Sequence, residues 1–123
     1  MKKNIFLIDD DIQLTQMMSE FFSLSGFSID TETNSRKALQ RFNDSPDEFD
    51  LIITDQTMPG ISGFELAKQM LDQRPDLPII ICTGYNEDLD EKKAIDAGIS
   101  RFFFKPIELN TLVDNINEVC ENT

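Results

Sequence analysis

The sequence predicts a single α/β domain: a doubly wound, five-stranded parallel sheet with helices on both faces. Short apolar runs typical of buried strands alternate five times with segments of helical apolar periodicity. The connections between these segments are short, and we find no linker, repeat or low-complexity segment. The chain has 123 residues, of which 40% are hydrophobic and 28% charged, values typical of one soluble globular domain.

The first strand and helix are predicted at 4–8 and 12–24. The strand is a continuous apolar run that stops at three successive aspartates, Asp9–Asp11. The helix has apolar residues at i, i+3 and i+4 spacing, and Gly26 follows it as a C-cap.

The second strand, at 27–31, alternates apolar and polar residues as a half-exposed strand does. Ser35 is predicted to cap a helix over 36–44. Ser45-Pro46 closes that helix, because proline disfavours helical geometry in the residue before it.

The central strand is predicted at 50–54, where three aliphatic residues in a row indicate burial on both faces. It ends at Asp55, and the Pro-Gly of residues 59–60 forces a loop. Ser62, with a glutamate three residues later, is a capping box that opens a helix over 63–73. Taken alone, Asp55 is as compatible with a simple strand end as with a function.

The last third of the chain provides two more strands and two more helices. The fourth strand, 78–83, is apolar and ends in a hydroxyl; the fifth, 102–104, is three phenylalanines followed by Lys-Pro. A polar helix is predicted over 87–97 and is ended by Gly98, and an apolar stripe from Leu109 to Cys120 marks a terminal helix. The inner side of the polar helix is expected to be mainly Leu89, Ala94, Ile95 and Ala97.

Composition excludes several classes of function. There is no histidine, so imidazole bases, serine-hydrolase triads and most zinc sites are excluded. A net charge of −12 argues against direct binding of nucleic acid or of an anionic membrane.

Cys82 and Cys120 are far apart and look like core residues, which favours a reducing, cytoplasmic location. We find no secretory signal and no apolar stretch as long as a membrane span.

Four predicted strands end on reactive side chains. The first ends on Asp9–Asp11, the third on Asp55, the fourth on Thr83 and the fifth on Lys105. Each has an ordinary explanation as a helix start or a strand end. In a parallel sheet, however, all four ends share one edge, which is where ligands bind in open α/β sheets. Their coincidence favours a functional site.

Clustered carboxylates need positive charge beside them. Two unit charges about 4 Å apart repel by about 4 kcal/mol at an effective dielectric constant of about 20. Lys105 offsets part of this repulsion, and a hard divalent cation could offset the rest. An all-oxygen site with room for water and phosphate suits Mg²⁺. A carboxylate beside Mg²⁺ and a lysine is placed to attack phosphorus.

The sequence resembles the response-regulator receiver family of two-component signalling along essentially its whole length. The resemblance rests on four motifs: F-L-I-D-D-D at 6–11, D-Q-T-M-P-G-I-S-G at 55–63, I-I-I-C-T-G at 79–84 and F-F-F-K-P at 102–106. It implies a flavodoxin-like fold with strand order 2-1-3-4-5. We therefore expect one receiver domain over 1–123, with no output domain in this chain.

The resemblance also assigns the phosphorylation site. Asp55 resembles the phospho-acceptor, Asp10 the direct Mg²⁺ ligand and Asp9 its water-mediated neighbour. The third protein contact to the metal would be the backbone carbonyl of Thr57. Asp11 lies outside the matched ligand pair and is expected to cap the first helix.

Three further positions match residues that respond to the phosphoryl group. Thr83 resembles the switch hydroxyl, and Lys105 the lysine that pairs with the phosphoryl group. Phe102 occupies the switch aromatic position, although core packing explains it nearly as well. The Lys105-Pro106 peptide bond is cis in many relatives.

Two positions that flank the phosphoryl group in the family are Thr57 and Tyr85 here. Neither offers a carboxamide or carboxylate to orient water, and Tyr85 is bulky. We therefore expect slow self-dephosphorylation.

The implied function is a phosphorylation-controlled switch. A histidine kinase or histidine phosphotransfer protein would supply a phosphohistidine, and Asp55 would take the phosphoryl group. Thr83 and Phe102 would then change the surface formed by the fourth helix, fifth strand and fifth helix. The domain has no separate substrate and is therefore not expected to be an enzyme. Its motifs also resemble receivers attached to hybrid sensor kinases, and a downstream output domain or protein is expected as a partner.

Two other interpretations compete with this one. A phosphatase of the haloacid-dehalogenase type would use Asp9 of an Asp9-x-Asp11 motif as nucleophile, with Thr83 and Lys105 as further motifs. Against it, Gln13 stands where that motif has Thr or Val, no fourth acidic motif follows and the chain is short. The other is a receiver-like interaction module that never accepts phosphate, against which the intact acidic site argues.

Overall fold

We describe the protein from a computed structural model, in which residues 2–84 and 89–121 are described. Five strands form one parallel sheet in the order β2-β1-β3-β4-β5, which confirms the predicted fold and strand order. The strands are β1 (Asn4–Ile8), β2 (Ser28–Glu32), β3 (Leu51–Asp55), β4 (Ile79–Thr83) and β5 (Arg101–Phe104). The helices are α1 (Ile12–Leu24), α2 (Ser35–Asp44), α3 (Gly63–Gln73), α4 (Glu91–Asp96) and α5 (Leu109–Glu121). Within the described residues, no helix is long and apolar enough to cross a membrane.

The sheet divides the core into two layers. On one side, Phe6, Ile52 and Ile81 pack with α2, α3 and α4. On the other side, Ile53 and Ile80 pack with α1 and α5. Every residue of β3 and β4 is buried, which explains why these strands are continuous apolar runs without alternation.

The predicted helix caps are mostly confirmed. Asp11 caps α1, and its side chain accepts the backbone N–H of Leu14 at 3.0 Å. Gly26, just beyond α1, has a φ of 99°, the left-handed geometry that glycine adopts freely. Ser62 caps α3 and accepts the N–H of Glu65 at 3.2 Å.

The predicted cap of α2 is wrong by one residue. Asn34 is the N-cap, because its side-chain oxygen accepts the N–H of Lys37 at 3.0 Å. Ser35 is instead the first helical residue, and it is buried.

The fourth helix is shorter than predicted. It begins at Glu91, where Asp90 caps it by accepting the N–H of Lys93 at 2.7 Å; residues 87 and 88 lie outside the described ranges. Leu89 and Ala94 are buried as expected, but Ile95 is 46% exposed. Ile99, beyond the helix, is buried in the layer where Ile95 was expected. The prediction failed because so short a helix places few residues on its inner face.

Candidate functional site

The predicted site residues converge on the carboxyl edge of the sheet. Asp55 and Thr83 are the last residues of β3 and β4, while Asp9 and Lys105 directly follow β1 and β5. Since these four strands are neighbours, their ends are adjacent. The backbone N–H of Lys105 donates to the carbonyl of Thr83 at 2.7 Å, which ties the lysine's loop to β4.

Lys105 lies between two buried carboxylates. Its Nζ is 3.0 Å from Asp9 Oδ2 and 3.0 Å from Asp55 Oδ1. Asp9 and Asp55 are only 4% and 8% exposed, so water screens this group poorly. Two carboxylates therefore share one ammonium.

The pKa of Asp55 reflects its burial and the presence of two carboxylates beside one ammonium. Burial raises the pKa of Asp55 to about 6; the hydrogen bond from Lys105 opposes that rise, and the charge of Asp9 adds to it. Burial alone would lower the pKa of Lys105. Its hydrogen bonds to Asp9 and Asp55 outweigh burial and raise that pKa to about 12, so the lysine is charged.

Three carboxylates form a cluster suited to a hard cation. One oxygen from each of Asp9, Asp10 and Asp55 lies within 4.8 Å of the others. Asp9 is held in place, because Asp11 donates its backbone N–H to Asp9 Oδ1 at 3.0 Å. Asp10 is exposed and faces the solvent side of the cluster. The donor set fits the preference of Mg²⁺ for carboxylate oxygen and water.

The segment after β3 is held closely against the start of α3. The side-chain oxygen of Gln56 accepts the N–H of Phe64 at 2.8 Å, and its carbonyl accepts the N–H of Gly63 at 2.9 Å. A Cβ on Gly63 would lie 2.2 Å from the carbonyl oxygen of Asp55. Gln56 and Gly63 thus fix the backbone at Asp55, a role that sequence analysis did not assign to them. Thr57, next along the chain, is exposed.

The two predicted switch residues occupy different settings. Thr83 is fully buried, and its hydroxyl donates to the carbonyl of Gly84 at 3.4 Å. Phe102 is 7% exposed and packs in the layer that contains Phe64 and α4. Its ring meets that of Phe104 edge to face, with centroids 5.2 Å apart. Phe102 is therefore a core residue in this structure, and its role as a switch remains a prediction.

Two remaining expectations have different outcomes. The Lys105-Pro106 peptide bond is cis, as the resemblance implied. Tyr85 lies outside the described residues, so the expectation attached to it stays a prediction.

Known proteins with similar sequences and structures identify the family. Residues 5–117 match the family model of the response regulator receiver domain. The chain is 30% identical over 119 residues to the transcriptional regulatory protein CpxR homolog of Haemophilus influenzae, covering 97% of this chain and 51% of that protein. It is 27% identical over 122 residues to the chemotaxis protein CheY of Thermotoga maritima, covering 98% of this chain and 100% of that protein.

A solved structure is also similar to this chain over nearly its whole length. The receiver domain protein from Clostridium thermocellum has a TM-score of 0.92 and 25% identity, with 98% of this chain and 95% of that chain covered. The chain spans about half the length, or less, of the first curated relatives it matches. With five parallel strands in the order 2-1-3-4-5 and the acidic cluster at their carboxyl edge, the chain belongs to the response regulator receiver domain family.

Proposed function

We propose that this receiver domain works in two-component signalling as a switch controlled by phosphorylation of Asp55. The single observation that carries the proposal is the placement of Asp55: a buried carboxylate at the end of the central strand, 3.0 Å from the ammonium of Lys105. The donor would be a phosphohistidine on a histidine kinase or a histidine phosphotransfer protein. Receiver domains are signalling domains, and this chain needs no separate substrate.

The proposed step is a transfer of one phosphoryl group. A carboxylate oxygen of Asp55 attacks phosphorus and forms an acyl phosphate, while the bond from phosphorus to the histidine nitrogen breaks. The leaving nitrogen keeps the electron pair of that bond. The phosphorylated ring carries a proton on its other nitrogen, so the histidine leaves as neutral imidazole. Lys105 pairs with the phosphoryl oxygens, so its ammonium moves from the Asp55 carboxylate to the new phosphoryl group and stabilises the charge there.

Asp9, Asp10, Asp55 and the backbone carbonyl of Thr57 are the groups that would hold Mg²⁺. The bound cation supplies positive charge beside the phosphoryl oxygens and offsets the repulsion among the carboxylates. Asp10 is suited to direct contact because it is exposed, whereas both oxygens of Asp9 already accept hydrogen bonds. That difference supports a direct role for Asp10 and a water-mediated role for Asp9.

The proposed response runs from Thr83 to the surface formed by α4, β5 and α5. Thr83 ends β4, and Phe104 of β5 lies opposite it in register. If the Thr83 hydroxyl turns to donate to a phosphoryl oxygen, its present contact with the Gly84 carbonyl is lost. Phe102 would then repack, and the change would reach the β5 surface through Phe104, which is 41% exposed.

The haloacid-dehalogenase alternative is less well supported. It requires Asp9 as the nucleophile, yet Asp9 Oδ1 accepts from Asp11 and Asp9 Oδ2 from Lys105. The match to the receiver family over residues 5–117 also favours Asp55. We therefore retain Asp55 as the acceptor. The buried thiols of Cys82 and Cys120 support the expected cytoplasmic location of the domain and its phosphohistidine partner.

The proposal is tested by the chemistry of the linkage that forms. The protein is incubated with Mg²⁺ and a small phosphoramidate, whose phosphorus–nitrogen bond mimics phosphohistidine. We expect incorporated phosphate that hydroxylamine releases, as it does from an acyl phosphate, and no incorporation with a chelator. Phosphate that resists hydroxylamine would mean a hydroxyl acceptor and would contradict the proposal.

A further inference from the structure

A buried serine on α2 contacts the loop that follows the central strand. Ser35 is 1% exposed, and its hydroxyl donates to the carbonyl of Pro59 at 2.8 Å. The same oxygen accepts the backbone N–H of Ile61 at 2.9 Å. One side chain therefore satisfies two backbone groups that lie more than twenty positions away in the sequence.

These two hydrogen bonds bracket Gly60, where the loop is sterically confined. Gly60 has a φ of 91°, a conformation that other residues adopt at a cost. A Cβ there would lie 3.2 Å from Ser35 Oγ and 3.2 Å from Arg36 Nε. The start of α2 and this loop therefore fit each other closely, and neither can shift far while the hydrogen bonds hold.

The loop held by Ser35 also carries Thr57, two residues before Pro59. Its other end is fixed by Gln56, whose N–H donates to the carbonyl of Cys82 at 3.0 Å and whose carbonyl accepts from Gly63. Thr57 and the buried Met58 thus lie between a backbone hydrogen bond to the sheet and the hydrogen bonds made by Ser35. We expect the direction of the Thr57 carbonyl to change when the hydrogen bonds of Ser35 are lost.

We propose that Ser35 is a positioning residue, which sets the affinity of the acidic site for Mg²⁺ by holding the loop that presents the Thr57 carbonyl. The inference rests on the proposed function, because it takes that carbonyl as a metal contact. Ser35 touches neither the cation nor the phosphoryl group. Its effect resembles that of the outer groups that orient metal ligands elsewhere, whose removal typically weakens metal binding by about tenfold or more.

The test compares Ser35→Ala with Ser100→Ala. Ser100 is a matched control, because its hydroxyl also accepts a backbone N–H, that of Ile79 at 3.3 Å, but at the amino end of β4, away from the site. Mg²⁺ affinity is measured by calorimetric titration of MgCl₂ into each protein at a temperature where circular dichroism shows all of them folded. Exchange of the Ile61 amide hydrogen is measured without metal.

We expect Ser35→Ala to bind Mg²⁺ about tenfold more weakly than the parent and Ser100→Ala to bind it equally well. The Ile61 amide should exchange faster in Ser35→Ala alone, because it loses its acceptor. Mg²⁺ affinity that is unchanged in Ser35→Ala, or lowered equally in both variants, would overturn the inference.

Failure of the inference differs from failure of the proposed function. If the parent protein binds Mg²⁺ and Ser35→Ala binds it equally, only the positioning role is lost. If the parent shows no binding of Mg²⁺ at millimolar concentration, the proposed metal site fails and the inference fails with it.

Discussion

Asp55 sits where its own negative charge is costly. It is buried beside Asp9, and both carboxylates share the Lys105 ammonium, which lies 3.0 Å from each. The folded protein thus keeps an uncompensated charge in the position where the proposed chemistry needs a nucleophile. Functional sites commonly retain groups whose pKa values are shifted in this way.

The first prediction concerns the stability of Asp55→Asn in metal-free buffer. The pKa of Asp55 is raised to about 6 from 3.8, so ionising this carboxyl destabilises the fold progressively as pH rises between those values. The asparagine variant avoids that cost. It should be more stable than the parent by about 1–2 kcal/mol at pH 7, allowing for partial screening, and about equally stable at pH 4.

Urea unfolding across this pH range measures the difference. Asp72→Asn, at an exposed position on α3, is the control because it changes the net charge equally. A stabilisation by Asp55→Asn that is the same at pH 4 and pH 7, or that Asp72→Asn reproduces, would refute this explanation.

The second prediction concerns the lifetime of the acyl phosphate. Thr57 is exposed beside the site and offers no carboxamide or carboxylate to orient a water molecule. The acyl phosphate of the parent should therefore hydrolyse slowly. That of Thr57→Asn should hydrolyse roughly tenfold faster, because a carboxamide there can orient the attacking water. Loss of phosphoryl mass with time measures both rates. A short lifetime in the parent protein would defeat the prediction.

At the scale of elements, the connection between β3 and α3 holds the backbone at the site. Gln56 accepts two N–H groups at the start of α3, one with its carbonyl and one with its side chain. Gly63 lets that helix approach the carbonyl of Asp55 directly. The position of the nucleophile therefore depends on a glycine eight residues after it.

The third prediction follows from that approach. Gly63→Ala places a Cβ 2.2 Å from the Asp55 carbonyl oxygen, so the helix or the strand end must shift. We expect a loss of about 2–3 kcal/mol of unfolding free energy and slower phosphoryl transfer. Gly26→Ala is the control. The φ of 99° at position 26 strains an alanine, but the added Cβ would have no atom within 4 Å.

Denaturation and single-turnover phosphorylation separate the two effects. Gly26→Ala should lose about 1 kcal/mol and react at the parental rate. Parental phosphorylation by Gly63→Ala would show that the close approach does not position Asp55.

At the scale of the whole molecule, a net charge of −12 destabilises the compact state, and the acidic site concentrates part of that charge.

The fourth prediction is that Mg²⁺ raises the melting temperature. Binding at one hundred times the dissociation constant would add about 2.7 kcal/mol. Asp10→Asn should lose most of this effect, because it removes an exposed ligand without disturbing the core.

Sodium chloride at equal ionic strength is the control, since screening alone also stabilises an acidic protein. If sodium chloride stabilises as much as MgCl₂ does, or if Asp10→Asn keeps the full response, the acidic cluster is not a specific cation site.

The sequence predicted those features that depend on pattern. Continuous apolar runs identified β3 and β4, and alternating strands and helices implied that Asp9, Asp55 and Lys105 would meet at one edge. It could not predict contacts between distant backbones. Nothing in the local pattern distinguishes Ser35 as a cap from Ser35 as a partner of Pro59, or shows that Gly63 touches Asp55.

The length of α4 was missed for a similar reason. Several polar residues near this point can cap a helix, and the cap is Asp90, which leaves the buried Leu89 ahead of the helix. Ile95 is exposed on this short helix, although its residue type favours burial.

The central claim is that Asp55 is the acceptor, and intact mass tests it most directly. The parent, Asp55→Asn and Asp9→Asn are each incubated with Mg²⁺ and the small phosphoramidate. We predict the mass of one phosphoryl group on the parent, none on Asp55→Asn, and a slower gain on Asp9→Asn, which keeps the nucleophile. A gain that persists in Asp55→Asn and vanishes in Asp9→Asn would move the nucleophile to Asp9 and contradict the account.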